Sequence, residues 1–196
     1  MRRCHGVLLF ILIAYQCLPI AEAQSAKTDS LLQSCMACHN ANDPPLSPDI
    51  PIIAGQPFTT IEDALILFSR NERPCTTMCA LAAALSDAEK EALAEALEQQ
   101  AFTPAIQQFD PALAARGAST HQQSGCENCH SDGGRNGHGV APVLAGQRTP
   151  YLRNALSQFR AGQRQGPKEM NRAIASLDEN DIELLLNFYA SHGQSN

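Results

Sequence analysis

The sequence predicts an all-α fold in which two small domains follow one another along the chain. Three observations support this fold class. The second half repeats the first at an offset of 91 residues, several segments carry apolar residues at helical spacing, and no segment alternates apolar and polar residues over the length of a strand. Each half of the 196-residue chain is too small to rely on its apolar core alone and needs a further stabilising element.

The internal repeat keeps one register through several residue types. At the offset of 91, Cys35 corresponds to Cys126, His39 to His130, Pro51 to Pro142, Ala54-Gly55-Gln56 to Ala145-Gly146-Gln147, and Phe68 to Phe159. Met78 and Met170 correspond at an offset of 92. This pattern indicates a duplication, with a first domain over residues 24–103, a linker over 104–115 and a second domain over 116–196.

Periodicity and capping signals predict the helices of both domains. Ser86 and Glu89 have the spacing of a capping box, and Asp178 is a suitable first residue for the last helix. The predicted helices cover residues 30–39, 59–69, 88–100, 118–130, 150–160 and 179–191. The linker between the halves is indicated by its two prolines, Pro104 and Pro111.

Residues 1–23 have the pattern of an export signal. Arg2 and Arg3 precede an apolar run over residues 7–14, and small residues at 21 and 23 form a cleavage site. The run is shorter than the roughly 20 residues that a membrane span needs, so we expect a periplasmic protein without a span after cleavage. Cleavage removes two arginines and one glutamate and changes the formal net charge from −6 to −7, which argues against nucleic acid as a partner.

Two Cys-x-x-Cys-His motifs lie at matched positions of the repeat, and they consist of Cys35, Cys38 and His39 in the first half and Cys126, Cys129 and His130 in the second. Two thiols at this spacing add to the vinyl groups of haem, and the adjacent imidazole reaches the iron from one side. A lone Cys-x-x-Cys also suits a disulfide or half of a zinc site. The histidine, present twice, favours two covalently bound haem c groups, each with one iron.

The second axial ligand of each iron is predicted to be a methionine. A thioether is a soft, neutral donor that raises the reduction potential of haem iron. Met78 lies 39 residues after His39, and Met170 lies 40 residues after His130. Met36 lies inside the first motif, too close to reach the opposite face of the haem. A role as core filler remains the alternative for Met78 and Met170.

Four further residues complete the candidate sites. Pro51 and Pro142 each lie 12 residues after the motif histidine, which matches the proline of class I cytochromes c, and the resemblance implies that its carbonyl accepts the Nδ1 hydrogen of the axial imidazole. A plain loop proline is the alternative. Cys75 and Cys79 flank Met78 and have no counterpart in the second half. A disulfide that stiffens the Met78 loop, free thiols and a regulatory pair all remain open.

The chain resembles dihaem cytochromes c built from two tandem class I domains. It is most similar to the dihaem cytochrome subunit of flavocytochrome c sulfide dehydrogenase, through the segments QQAFTPA (99–105), QFD (108–110), LAGQRTPYL (144–152) and FYAS (188–191) together with the second haem motif. The sequence differs from this family at Cys75, at Cys79 and in the loop 43–48. His121, His138 and His192 have no repeat partner, and we expect them to be surface or structural residues. A place for His138 beside the edge of the second haem, in the glycine-rich loop, remains open.

The resemblance implies a function in electron transfer, with no catalytic residues in this chain. An FAD-containing sulfide dehydrogenase subunit would form a heterodimer with it and donate electrons, and a soluble cytochrome c would accept them. A freestanding carrier that feeds a respiratory terminal oxidase is the nearest alternative. A dihaem peroxidase needs an iron with an open or displaceable ligand, and the two matched methionines and the short chain argue against it. A thiol-redox module built on Cys75 and Cys79 is the remaining possibility.

Overall fold

The computed structural model describes residues 24–40, 47–137 and 139–193, which include no β-strand. The predicted signal, residues 43–46 of the atypical loop and His138 lie outside the described residues. The helices are α1 (24–39), α2 (Phe58–Ser69), α3 (Met78–Ala83), α4 (Asp87–Glu98), α5 (Pro111–Gln123), a single distorted turn α6 (Ser131–Gly134), α7 (Thr149–Arg160), α8 (Lys168–Ser176) and α9 (Glu179–Ser191). Within the described ranges, no helix has the length and apolarity to cross a membrane.

The helices confirm the duplication. Helices α2 and α7 begin and end at residues that correspond at the offset of 91. Helices α4 and α9 both begin with a capping box, in which Ser86 pairs with Glu89 and Asp178 pairs with Asp181. Each pair satisfies backbone N–H groups that a helix start leaves without partners, which is why both helices begin at these residues.

The structure differs from the sequence predictions at the start of α1, which begins at residue 24 rather than 30, and in three larger respects. The methionine segments, where no helix was predicted, form α3 and α8. The extended connection is shorter than the predicted linker, because Asp110 accepts hydrogen bonds from the backbone of Ala112 and Leu113 and Pro111 suits the first turn of α5. The predicted helix 118–130 is interrupted, because Gly125 has a φ of 76° and ends α5 before the second haem motif.

Each half has its own apolar core. The first is formed by Ile61, Leu65, Ala82, Ala94 and Leu97, with Met36, Phe68 and Met78 packed against it. The second is formed by Leu152, Leu177, Ile182, Leu185, Leu186 and Tyr189. Helices α5 and α9 lie in close contact at Gly117, where an added Cβ would lie 2.0 Å from the backbone oxygen of Leu184. The close crossing of these helices fixes the base on which the second haem motif is held.

Candidate haem-binding sites

The motif cysteines are free thiols at the ends of helical segments. Cys35 and Cys38 lie in the last turns of α1, whereas Cys126 is the first residue of a short 3-10 helix and Cys129 follows its last residue. Burial raises the pKa of the Cys35 and Cys126 thiols. The free state of all four contrasts with Cys75 and Cys79, which are bonded to each other. A thiol that is not in a disulfide is the form that a thioether bond requires.

Both motif histidines bond to the predicted prolines. Nδ1 of His39 lies 2.9 Å from the carbonyl oxygen of Pro51, and Nδ1 of His130 lies 2.8 Å from that of Pro142. Because a carbonyl oxygen only accepts, Nδ1 carries the hydrogen and Nε2 keeps its lone pair for a metal. Burial is the main cause that lowers the pKa of both imidazoles, which favours the neutral form that coordinates iron.

The two methionines lie in corresponding elements. Met78 is the first residue of α3 and packs against the first core, as does Met36. Met170 lies in α8, and its Sδ atom is 3.3 Å from the position that a Cβ on Gly166 would take. Both methionines are half-buried, and each follows a short turn after the helix that ends near Phe68 or Phe159.

The segment before each methionine is closed in a different way. In the first half, a disulfide joins Cys75 to Cys79, whose Cα atoms are 5.8 Å apart. In the second half, the Asn171 side chain donates to the carbonyl of Gly166 over 2.9 Å and accepts from its N–H over 3.2 Å. Cys75 corresponds to Gly166 at an offset of 91, and Cys79 corresponds to Asn171 at 92. The disulfide and the amide therefore close the same loop.

His121 holds the second haem motif, a role that the sequence analysis did not predict. Its side chain is 1% exposed. Nδ1 accepts from the hydroxyl of Tyr189 at 2.9 Å, and Nε2 lies 2.8 Å from the Glu127 carboxylate and 3.1 Å from the carbonyl of His130. The N–H of Gly133 is the main cause that holds the pKa of Glu127 below its usual range, and His121 adds to it.

Two arginines related by the repeat surround Tyr151. Arg73 and Arg164 correspond at the offset of 91 and lie over the rings of Phe68 and Phe159, at 4.4 and 4.6 Å from their centroids. Arg73 also donates to the hydroxyl of Tyr151 at 3.2 Å. Burial by itself raises the pKa of Tyr151, but the positive charges of Arg164 and Arg73 outweigh it and lower this pKa to about 8.

Arg148 brings a positive charge from the second domain into the first site. Its guanidinium is buried and donates to the carbonyl of Ile50 at 2.8 Å and to that of Asn40 at 2.7 Å. After burial, which is the larger cause, its charge further lowers the pKa of His39. The corresponding residue of the first half is Pro57, so the second site lacks this contribution.

The side chains present fit two haem c groups. Each half provides two free thiols, one imidazole whose Nε2 is available and a methionine in a corresponding position. Among the described residues, no cluster of three or more His, Cys, Asp or Glu side chains offers a competing metal site. Free thiols beside an oriented imidazole are what covalent attachment and axial coordination require.

Comparisons with known proteins agree with this assignment. No family model matches the chain. The chain is 28% identical over 172 residues to the thiosulfate dehydrogenase electron acceptor of Stutzerimonas stutzeri, covering 82% of this chain and 80% of that protein. It is 27% identical over 168 residues to cytochrome c4 of Pseudomonas aeruginosa, covering 79% and 81%. The structure of reduced cytochrome c4 from Pseudomonas stutzeri superposes with a TM-score of 0.72, at 26% identity over 84% of this chain and 96% of that one.

Fold, donor set and relatives together define an electron-transfer dihaem cytochrome c with two tandem class I domains, which carries two covalently bound haem c groups. Among proteins of this class, the chain is similar to cytochrome c4 and to the thiosulfate dehydrogenase electron acceptor. The predicted fold class and cofactors are thus confirmed. The assignment to a sulfide dehydrogenase subunit remains a prediction.

Proposed function

We propose that this chain is a periplasmic acceptor of electrons from a dehydrogenase that oxidises a sulfur compound. The observation that carries the proposal is the matched pair of imidazole-to-proline hydrogen bonds, at 2.9 Å for His39 and 2.8 Å for His130. Two sites prepared in the same way suit two successive one-electron transfers. A haem with both axial positions filled supplies an iron that gains and loses one electron without binding substrate.

The ligand assignment follows the repeat. Cys35 and Cys38 attach the first haem, His39 and Met78 are its axial ligands, and Pro51 orients the imidazole. The corresponding residues of the second site are Cys126, Cys129, His130, Met170 and Pro142. The domains that hold them are residues 24–103 and 116–196, and the 104–115 segment joins them, its last five residues forming the start of α5.

The partner we favour is a thiosulfate dehydrogenase. The supporting observation is the similarity to a protein described as the electron acceptor of such an enzyme, which extends over 80% of that protein. Electrons would leave to a soluble cytochrome c. The second candidate donor is an FAD-containing sulfide dehydrogenase, favoured by the segments 99–105 and 144–152 that resemble its cytochrome subunit.

Reconstitution distinguishes the donors. The purified dihaem protein is mixed with the catalytic subunit of a thiosulfate dehydrogenase or with a flavoprotein sulfide dehydrogenase, and haem reduction is followed spectroscopically after addition of thiosulfate or sulfide. Mixtures without a catalytic subunit control for direct reduction by sulfide. We expect rapid thiosulfate-dependent reduction. Rapid reduction with the flavoprotein alone would identify the second donor, and no enzyme-dependent reduction with either would favour the freestanding carrier.

A further inference from the structure

Two buried glutamines cross the boundary between the domains. Gln56 of the first domain accepts from the N–H of Val143 at 2.9 Å and donates to the carbonyl of Val143 at 3.2 Å. Gln147 of the second domain accepts from the N–H of Ile52 at 2.9 Å and donates to its carbonyl at 2.8 Å. Only 3% of Gln56 and 2% of Gln147 are exposed. Each amide therefore satisfies both of its polar atoms on one residue of the other domain.

These contacts between the domains follow the internal repeat. Gln56 and Gln147 correspond at the offset of 91, and so do their targets, Ile52 and Val143. The glycine before each glutamine has a positive φ, 68° at Gly55 and 75° at Gly146, which turns the chain so that the next side chain points across the boundary. The contacts therefore form one exchanged pair rather than two unrelated bonds.

The target peptides are those that orient the motif histidines. The N–H of Ile52 and the carbonyl of Pro51 belong to one peptide unit, and that carbonyl bonds to Nδ1 of His39. The hydrogen-bonded chain thus runs from Gln147 through this peptide to His39. In the other site it runs from Gln56 through the peptide between Pro142 and Val143 to His130.

A peptide that donates at its N–H becomes a stronger acceptor at its carbonyl, because hydrogen bonds in a chain polarise one another. A stronger acceptor draws the Nδ1 hydrogen of the imidazole and raises the basicity of Nε2 toward a metal. A more basic axial ligand stabilises oxidised iron. Each glutamine is thus placed to lower the reduction potential of the haem in the domain to which it does not belong.

We propose that Gln56 and Gln147 are positioning residues that act across the domain boundary, Gln147 on the haem bound by His39 and Gln56 on the haem bound by His130. The inference rests on the proposed ligand roles of the two histidines. It assigns to each domain a part in setting the properties of the other's haem.

The experiment compares Gln147→Met and Gln56→Met in the full dihaem protein by redox titration, with each haem followed through its own paramagnetically shifted NMR signals. Gln147→Met should raise the ratio of reduced to oxidised first haem at a fixed potential by about two- to tenfold, the range of one neutral hydrogen bond, and leave the second nearly unchanged. Gln56→Met should do the reverse. Thr60→Val, which removes a boundary hydrogen bond to the carbonyl of Val140, is the control and should shift neither.

A shift of the haem in the same domain as the substitution, or equal shifts of both haems, would overturn the inference. Gln147→Glu keeps an oxygen for the N–H of Ile52 and serves if the methionine variant fails to fold. It should leave the ratio at or below the wild-type value, and a ratio above it would also overturn the inference. Failure of the wild-type protein to bind haem at His39 or His130 would instead contradict the proposed function.

Discussion

The two proposed haem sites have the same candidate donors, but different chemistry holds the loops that carry their methionines. In the first domain, a disulfide between Cys75 and Cys79 encloses Met78. In the second domain, two hydrogen bonds between Asn171 and Gly166 close the loop before Met170. The same loop is thus closed by a covalent bond in one domain and by hydrogen bonds of a side-chain amide in the other. Only the first of these closures responds to thiol reductants.

The two haem motifs also differ in how they are held, and here it is the second domain that depends on a particular side chain. The first motif continues the helix α1, whereas the second follows a break at Gly125 and depends on the buried side chain of His121. The helix makes its own backbone hydrogen bonds. In the second segment side chains add to the backbone bonds, His121 at the carbonyl of His130 and Glu127 at the N–H groups of Asp132 and Gly133. In the first domain, helix α1 holds the motif and a disulfide closes the methionine loop. In the second domain, the side chain of His121 holds the motif and that of Asn171 closes the loop.

The largest expected effect tests whether the methionines are equivalent. Met78→Ala or Met170→Ala should lower the potential of the haem in its own domain by on the order of 200 mV, because axial ligands set haem potentials over a range of roughly 0.8 V and a thioether raises them. Spectroelectrochemical titration measures this change. Met36→Leu is the control, since Met36 packs in the first core, and it should leave both potentials in place. A comparable fall in this control would contradict the ligand assignment.

The second prediction removes the support specific to the second motif. His121→Leu leaves the Tyr189 hydroxyl and the Glu127 carboxylate without this partner and should lower the free energy of unfolding by about 3 kcal/mol. Chemical denaturation measures it. Ser30, the exposed residue at the corresponding position of the first half, provides the control, and Ser30→Ala should change the free energy by less than about 0.5 kcal/mol. Equal effects would mean that His121 does not support the motif.

The third prediction concerns the covalent closure. Cys75→Ser combined with Cys79→Ser should lower the free energy of unfolding by about 2 kcal/mol, the chain-entropy value for a loop of about five residues. Dithiothreitol should reproduce this loss in wild-type protein whose haems are already reduced.

Asn171→Ala is the matched variant of the second domain. It should destabilise the protein by about 1 to 2 kcal/mol through the loss of two hydrogen bonds, and its own effect should not depend on dithiothreitol. If dithiothreitol altered the loss of stability caused by Asn171→Ala, the closure of the second loop would depend on the disulfide of the first.

The smallest effect concerns Tyr151, which lies between arginines from both domains. Its pKa is lowered to about 8, so the stabilisation from its ionisation is complete only above the unfolded value near 10 and is lost as the pH falls through 8. Relative to Tyr151→Phe, wild-type protein should gain about 1 kcal/mol between pH 7 and 9. Denaturation at both pH values measures it. Tyr189, whose pKa is raised well above 10, provides the control, since Tyr189→Phe should keep the wild-type dependence on pH.

The repeat and the long helices could be predicted from the sequence, because each depends on residues close together in the chain or matched by the repeat. The capping boxes at Ser86 and Asp178 are local signals of this kind. The bonds of the two motif histidines to Pro51 and Pro142 were implied by the resemblance to class I cytochromes c. Helices α3 and α8 were not predicted because they are short and because Met78 and Met170, which they contain, were interpreted as ligands in loops. Helix α5 begins inside the predicted linker because Pro111 suits the first turn of a helix as well as a loop.

The contacts between distant residues could not be derived from local patterns. His121 has no repeat partner, and its bond to Tyr189 joins residues 68 positions apart. Arg73 and Arg164 did carry a usable signal, because each lies five residues after a phenylalanine of the repeat. Their convergence on Tyr151 depends on how the domains pack together, and no pattern along the chain contains that information.

The exchanged glutamines also bear on the origin of the molecule. A contact in which residue i of one unit meets residue j of another, and j meets i, is what a two-fold symmetric homodimer produces. Gln56 with Val143 and Gln147 with Ile52 have this form. The boundary between the domains thus has, within one polypeptide, the form of a symmetric interface between two single-haem domains. A dimer of single-haem domains that preceded the gene duplication would explain this form, and separation of the halves would leave two buried amides without their partners.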